Sequence, residues 1–273
     1  MRPTVLCFSG LDPSGGAGLQ ADIESVGAAK AHAAIACTAL TVQNSQTVFD
    51  FTPVSDDLLI RQAMTVINDL PVRAIKSGML GTVGNIYAIA ALFADKIITA
   101  DTPYVLDPVL VANSGGSLGD PATLVQAFGK LLPHATLITP NTHEIRALSG
   151  RQNLHDAAKS LNAQGVQAVL LKTSHEYHTG DIEQFLYINE QIAHTSVVPR
   201  LAGEFHGSGC SLASYIAGRL AMGDELITAI NAADTWIHRT LCHADKPHQS
   251  PTAQQIPNRF FQSPTDCEKC GKL

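Results

Sequence analysis

Apolar runs too short for helices recur along the 273-residue chain. They fall at residues 5–8, 33–42, 74–76, 104–106, 136–138 and 168–171, and most are closed by a polar residue or a glycine. Between them lie longer stretches of helical period, at 19–30, 56–68, 84–94, 121–132, 143–148 and 155–164. The short runs predict buried strands and the longer stretches amphipathic helices. Ser55 is placed to cap the second helix, and Pro121 sits near the first turn of the fourth. Residues 183–188 and 191–198 read as a hairpin turning through Asn189 and Glu190. Two helices, 210–222 and 224–241, close the pattern. Strand alternating with helix implies an α/β fold, with a mostly parallel central sheet and helices on both faces. There is no internal repeat and no dividing linker. Residues 1–242 therefore read as one domain, and 243–273, richer in polar residues and proline, as a loosely structured tail.

Composition narrows the class. The chain is 45% hydrophobic and 15% charged, enough for one large core. A net charge of −6 gives no broad basic surface, so nucleic acid is not an expected partner. The first apolar run stops at Gly10, too soon for a secretory leader, and no stretch is long enough to cross a bilayer. The expectation is a soluble cytoplasmic protein without membrane contact. The six cysteines, Cys7, Cys37, Cys210, Cys242, Cys267 and Cys270, are scattered, which favours reduced thiols over a disulfide framework. Cys267 and Cys270 form a lone C-x-x-C; a zinc site completed by His238, Cys242 and His243 is conceivable on spacing, a free tail the simpler reading.

The unusual polar residues follow the strands: Gly10-Leu11-Asp12, Gln43-Asn44, Lys76-Ser77-Gly78-Met79, Asp107, Asn141-Thr142-His143-Glu144 and Lys172. In an open parallel sheet such ends share one rim, where ligands bind. Late in the chain, His206-Gly207-Ser208-Gly209-Cys210 separates a β-like run from a helix. A glycine-flanked turn opening a helix presents free N–H groups to an anion, and the same field would give Cys210 thiolate character. The alternative is a plain turn with a small buried cysteine. The loop from Asp12 to Gly18 lacks the Lys-Ser/Thr end of a Walker A and the spacing of G-x-G-x-x-G, which disfavours a P-loop enzyme or a dinucleotide-binding dehydrogenase. Its three glycines within four residues suggest close backbone approach to a ligand. Gln43 offers a donor and an acceptor to a heterocycle edge, or is an ordinary loop residue. Asp107, Asn141 and Glu144 could supply oxygen to Mg²⁺; equally, Asn141 and Glu144 could cap a helix. Lys172 ends a buried strand and needs a phosphate or a way to water.

These pieces, in this order, resemble the ribokinase-like superfamily. Within it they are most similar to the hydroxymethylpyrimidine/phosphomethylpyrimidine kinases of thiamine biosynthesis, from about Val5 to about Ala232. The resemblance implies a ribokinase-like fold and ATP-dependent phosphorylation of 4-amino-5-hydroxymethyl-2-methylpyrimidine and of its monophosphate. It implies that Gly10, Ala17, Asp22, Gln43, Met79 and Val109 line the pyrimidine pocket, with Gln43 on the ring edge and Asp22 on the hydroxymethyl or amino side. Asn141 and Glu144 would match the N-x-x-E motif that organises Mg²⁺ and phosphate, with Asp107 on the same rim as a further metal ligand. Lys172 would contact the nucleotide phosphates. Gly207, Ser208 and Gly209 would form the anion hole, and Cys210 the base. A homodimer is implied by resemblance alone. The chain departs from the family pattern at Ser208, Thr173-Ser174 and Glu204-Phe205, all near the expected nucleotide. Two alternatives stand beside this reading: a pyridoxal kinase of the same fold, and a non-catalytic pyrimidine-binding protein.

Overall fold

The computed structural model describes residues 1–110, 121–174, 176, 180–247 and 253–260. Its sheet has nine strands: β1 (Thr4–Leu11), β2 (His32–Gln43), β3 (Val48–Pro53), β4 (Val72–Ser77), β5 (Tyr104–Leu106), β6 (Leu137–Ile138), β7 (Ala168–Lys172), β8 (Ile182–Ile188) and β9 (Gln191–Val198). The order is β3-β2-β1-β4-β5-β6-β7-β8-β9. The strands from β2 through β1, β4, β5 and β6 to β7 pair in parallel, whereas β3, β8 and β9 join antiparallel at the two edges. The parallel strands are each followed by a helix or an antiparallel partner, so their C-terminal ends lie on one rim, as the sequence led us to expect.

The central strands bury both faces because the pleat sends alternate residues to opposite sides. Leu6 and Phe8 of β1, Ile75 of β4 and Leu106 of β5 join one core. That core is covered by α2 (Asp56–Asp69), α3 (Val83–Ala94), α4 (Pro121–Phe128), α5 (Thr142–Ser149) and α6 (Leu154–Ala163). Val5 and Cys7, Ala74 and Val105 point the other way, under α1 (Gly18–Ala28), α7 (Ser208–Ala221) and α8 (Leu226–Cys242). The result is a three-layer sandwich with helices on both faces.

Three features differ from the sequence reading. Strand β3 has no alternating apolar signal strong enough to be read; it exists by antiparallel pairing with the far half of β2, which projects beyond the core. Residues 253–260, within the stretch read as a loose tail, return to the domain, and Arg259 is only 4% exposed. Cys7, Cys37 and Cys210 are free, but Cys242 is disulfide-bonded, against the expectation of reduced thiols. The C-x-x-C at Cys267 and Cys270 lies outside the described residues.

Candidate active site

The site is built from the strand ends outward. After β1, the Asp12 carboxylate gathers the glycine-rich loop around itself. It accepts from the backbone N–H and hydroxyl of Ser14 (2.8 and 2.7 Å) and from the N–H of Ala17 (2.8 Å). A further bond comes from His206 Nε2 at 2.7 Å. Burial pushes the Asp12 carboxyl up, but the hydrogen bonds from His206 and Ser14 outweigh it and hold the group below the usual range.

The glycines of this loop are explained by the chain itself. A Cβ on Gly16 would lie 2.1 Å from the His206 ring, and one on Gly18 would lie 2.3 Å from the Gly10 carbonyl oxygen. Gly207 is doubly constrained: its φ is 72°, and a Cβ there would lie 2.1 Å from Gly16 O. The two loops thus approach each other closely through Gly16 and Gly207. Helix α7 starts at Ser208 rather than Cys210, with Gly207 as its cap residue and no side-chain cap. The N–H groups of its first turn are thus left for an anion.

His206 Nε2 has a second neighbour, the Gln43 side-chain amide at 3.1 Å. Since this nitrogen faces the Asp12 carboxylate, it must donate, and the Gln43 atom opposite it must be the amide oxygen. The amide nitrogen then faces the Thr41 hydroxyl (3.2 Å), whose own hydrogen goes to Leu11 O (2.8 Å). One donor and one acceptor of the Gln43 amide remain for a ligand. Gly10 and Met79 lie together on the same rim: a Cβ on Gly10 would sit 3.1 Å from the Met79 sulfur. Met79 is fixed through its carbonyl, which accepts from Thr38 Oγ1 at 2.6 Å.

Asp22 is not at the pocket surface. It is fully buried in α1 and pairs with the equally buried Lys76 Nζ at 2.7 Å. Ser214 Oγ of α7 donates to the same carboxylate oxygen at 2.6 Å. Asp22 was expected to meet the substrate's hydroxymethyl or amino side, but it offers no exposed atom there: Oδ1 is engaged by Lys76 and Ser214, Oδ2 is buried without a partner, and the residue ties α1, β4 and α7 together beneath the site. Burial would lower the Lys76 ammonium, but the charge of Asp22 first, and that of Asp107, outweigh it and hold the proton firmly.

The opposite end of the rim carries the carboxylates. Asp107 follows β5 and is 5% exposed; the Thr139 hydroxyl lies 3.4 Å away. Asn141 and Glu144 form the capping box that the spacing allowed: Asn141 Oδ1 accepts from the N–H groups of His143 and Glu144, and Glu144 Oε2 accepts from Asn141 N at 2.8 Å. Capping does not exhaust Glu144. Burial, then the charge of Asp107, push its carboxyl up to about 8, against the Asn141 N–H and Lys172. Val109 and Lys172 stand at the same end, both half-buried.

Cys210 joins the two ends. Its thiol is pushed up, first by burial and then by the charge of Asp107; Lys76 pulls the other way and loses. Burial and a neighbouring carboxylate thus oppose the thiolate character that the helix field would favour in the free protein. Cys210 as a whole residue is half-buried.

The arrangement is an uncapped helix start between two loops, with a polar amide at one side and a carboxylate pair at the other. Residues 12–253 match the phosphomethylpyrimidine kinase family. The chain belongs to that family. Relatives of this kinase include the hydroxymethylpyrimidine/phosphomethylpyrimidine kinase of Mycobacterium tuberculosis, 34% identical over 244 residues and 88% of each chain. Another is the thiamine biosynthesis bifunctional protein ThiED of Geobacter sulfurreducens, 36% identical, covering 86% of this kinase and 48% of that protein. Among solved structures, the ADP complex of Bacillus subtilis pyridoxal kinase superposes with a TM-score of 0.84 at 27% identity, covering 95% and 98% of the two chains. The kinase thus has a ribokinase-like fold, and ATP is the phosphoryl donor its family implies. No helix among the described residues is long and apolar enough to cross a membrane.

The residues missed from sequence are Asp12, His206, Lys76 and Arg259. Asp12 had a readable signal, an Asx turn of the form Asp-Pro-Ser-Gly. His206 and Lys76 lay in stretches already singled out, without a role. Arg259 had none.

Proposed function

We propose that this kinase transfers the γ-phosphoryl of ATP to the hydroxymethyl oxygen of 4-amino-5-hydroxymethyl-2-methylpyrimidine, and then phosphorylates that monophosphate, in the cytoplasm, for thiamine diphosphate formation. The single observation that carries this reading is the uncapped N-terminus of α7, set by the Gly16–Gly207 contact beside both Gln43 and the carboxylate corner. The half-used Gln43 amide supports a ring edge offering one acceptor and one donor, as an aminopyrimidine does. The N–H groups of Ser208, Gly209 and Cys210 would receive the phosphoryl oxygens, and Lys172 would meet the other phosphates. Gly10, Ala17, Met79 and Val109 would bound the ring.

Asp107 and Glu144 would hold Mg²⁺. Their chemistry fits: both are buried carboxyl groups, the charge of Asp107 presses on Glu144, and Mg²⁺ commonly takes one or two carboxylates, completing its shell with water and phosphate oxygen. Among the described residues no group of three or more His, Cys, Asp or Glu forms a self-sufficient metal cage. When bound, Mg²⁺ would offset the charge of Asp107 and so relieve the pressure on the Cys210 thiol. As a thiolate, its own proton lost to solvent, Cys210 would accept the hydroxyl proton while the substrate oxygen bonds to the γ-phosphorus and ADP leaves.

The experiment is a side-by-side assay of purified protein with Mg-ATP and two acceptors, the pyrimidine and pyridoxal. Preferred phosphorylation of the pyrimidine supports the reading; pyridoxal as the better substrate, the activity named for the Bacillus subtilis neighbour, would replace it. Pyrimidine binding without turnover would leave a binding protein. A homodimer belongs to the same reading, supported by the exposed apolar residues Leu40, Val42 and Phe49 on β2 and β3. A single-chain mass by light scattering would remove it.

A further inference from the structure

Arg259 lies past residue 253, where the family match ends. Yet its guanidinium is buried and joins both loops of the site. Nε donates to Ser211 Oγ at 2.8 Å, and Ser211 Oγ donates in turn to Gly207 O at 2.8 Å. Nη1 donates to Gly15 O at 3.2 Å, and Nη2 donates to Gly16 O. Glu24 Oε2, 3.2 Å from Nη1, offsets part of the charge. One planar fork thus holds the glycine-rich loop on one side and the first turn of α7 on the other. The segment bearing it is itself anchored. His206 N donates to Gln255 O at 2.9 Å, Gln255 N donates to Glu204 O at 2.8 Å, and Asp245 and Ile256 exchange backbone hydrogen bonds.

The anion hole is made of backbone N–H groups, which have no side chain of their own to set their direction. Their aim depends on what fixes the turn. Gly207 is left-handed and uncapped, and Gly16 is the surface it rests on. We infer that Arg259, carried on residues 253–260, is a positioning residue for phosphoryl transfer that sets the anion hole by clamping the Gly15–Gly16 carbonyls to the start of α7. The inference rests on the anion-hole reading above. A planar fork with five donors can serve several acceptors at once; a lysine offers a single point charge and recovers only part of that. Small misplacements of such donors chiefly slow the chemical step and weaken ground-state binding less.

The test uses the full chain with Arg259→Gln, Arg259→Ala and Arg259→Lys, each assayed for kcat and for KM of both substrates. Arg259→Gln should lower kcat by roughly 30-fold, the loss expected when charge-assisted hydrogen bonds that aim the site are removed, with KM for the pyrimidine moving less than about threefold. Arg259→Lys should recover part of that loss. Millimolar guanidinium, but not sodium chloride, should partly restore Arg259→Ala. The inference is overturned if folded Arg259→Gln keeps wild-type kcat, or if lysine and guanidinium restore nothing while kcat falls only with the folded fraction. Gly207→Ala separates the two readings. Should it lose kcat while Arg259→Gln does not, the clamp alone is refuted; should both keep full kcat, the anion hole itself is refuted.

Discussion

The Asp22–Lys76 pair and the Asp107–Glu144 pair are both buried, and both flank Cys210, yet they are opposite in kind. In the first, unlike charges meet at 2.7 Å with no exposure on either side, and Ser214 adds a further donor. In the second, two carboxyl groups share one corner, and burial, then the charge of Asp107, push the Glu144 carboxyl up to about 8. The first pair is neutral within the chain and holds three elements in place. The second carries uncompensated negative charge at the rim, where a cation or the counter-charge of a ligand would relieve it. Buried charge that the chain neutralises is scaffold, and buried charge that it leaves unbalanced marks the place for a ligand.

The largest effect should come from breaking the scaffold pair on one side only. Asp22→Ala or Lys76→Met alone should destabilise the fold by about 3–5 kcal/mol, because each strands a charge in the core. The double variant Asp22→Leu with Lys76→Met should recover most of that loss, since an apolar replacement of a buried pair is often nearly neutral. Urea melts of all four proteins check this. If either single variant lost pyrimidine affinity with stability intact, Asp22 would return to the pocket.

Next in size is the thiol between the pairs. Cys210→Ala should lower kcat by about 100-fold, at the low end for losing a positioned base, while pyrimidine affinity stays within a few-fold. Because burial and Asp107 hold the free-protein thiol up, alkylation of Cys210 near neutral pH should also be slow for a cysteine in an open site. Unchanged kcat in Cys210→Ala would end its role as base. Fast alkylation would show that the helix field, and not Asp107, dominates.

The contrast between the pairs also explains how much could be read beforehand. The α/β layering was legible because β1, β4, β5 and β7 are apolar on both faces, and strands buried on both sides read as continuous runs. The rim was legible because polar residues interrupt those runs at their ends. Asp22 was not, since no local pattern tells a helix residue that its partner is Lys76, far away on β4. Nor could the Cys210 thiol be placed: the helix terminus is local and visible, whereas Asp107 reaches it through the fold. Glu144 was ambiguous on spacing, and the ambiguity was real, because the capping box and the charged corner use the same carboxylate. Arg259 was invisible, because its value lies in backbone carbonyls of Gly15 and Gly16, which carry no sequence signal.

The smallest effect should come from the unbalanced pair, and its sign is opposite to that of an ordinary salt-bridged carboxylate. Between about 4.5 and about 8, folded Glu144 keeps a proton that the unfolded chain has released. Stability from this group is therefore full below the unfolded value and is lost as pH rises through the folded one. The ligand-free protein should melt at a lower temperature at pH 8 than at pH 5 on this account. Glu144→Gln removes the titration but keeps an oxygen to accept the Asn141 N–H, so the capping box survives. Its melting temperature should fall less across the same interval, leaving the variant about 2–4 °C ahead at the alkaline end, the shift that roughly 1 kcal/mol produces in a chain of this size. Parallel melting curves for the two proteins would mean that Glu144 is not held protonated by its burial and by Asp107. The contrast between a finished and an unfinished pair would then rest on Asp22 and Lys76 alone.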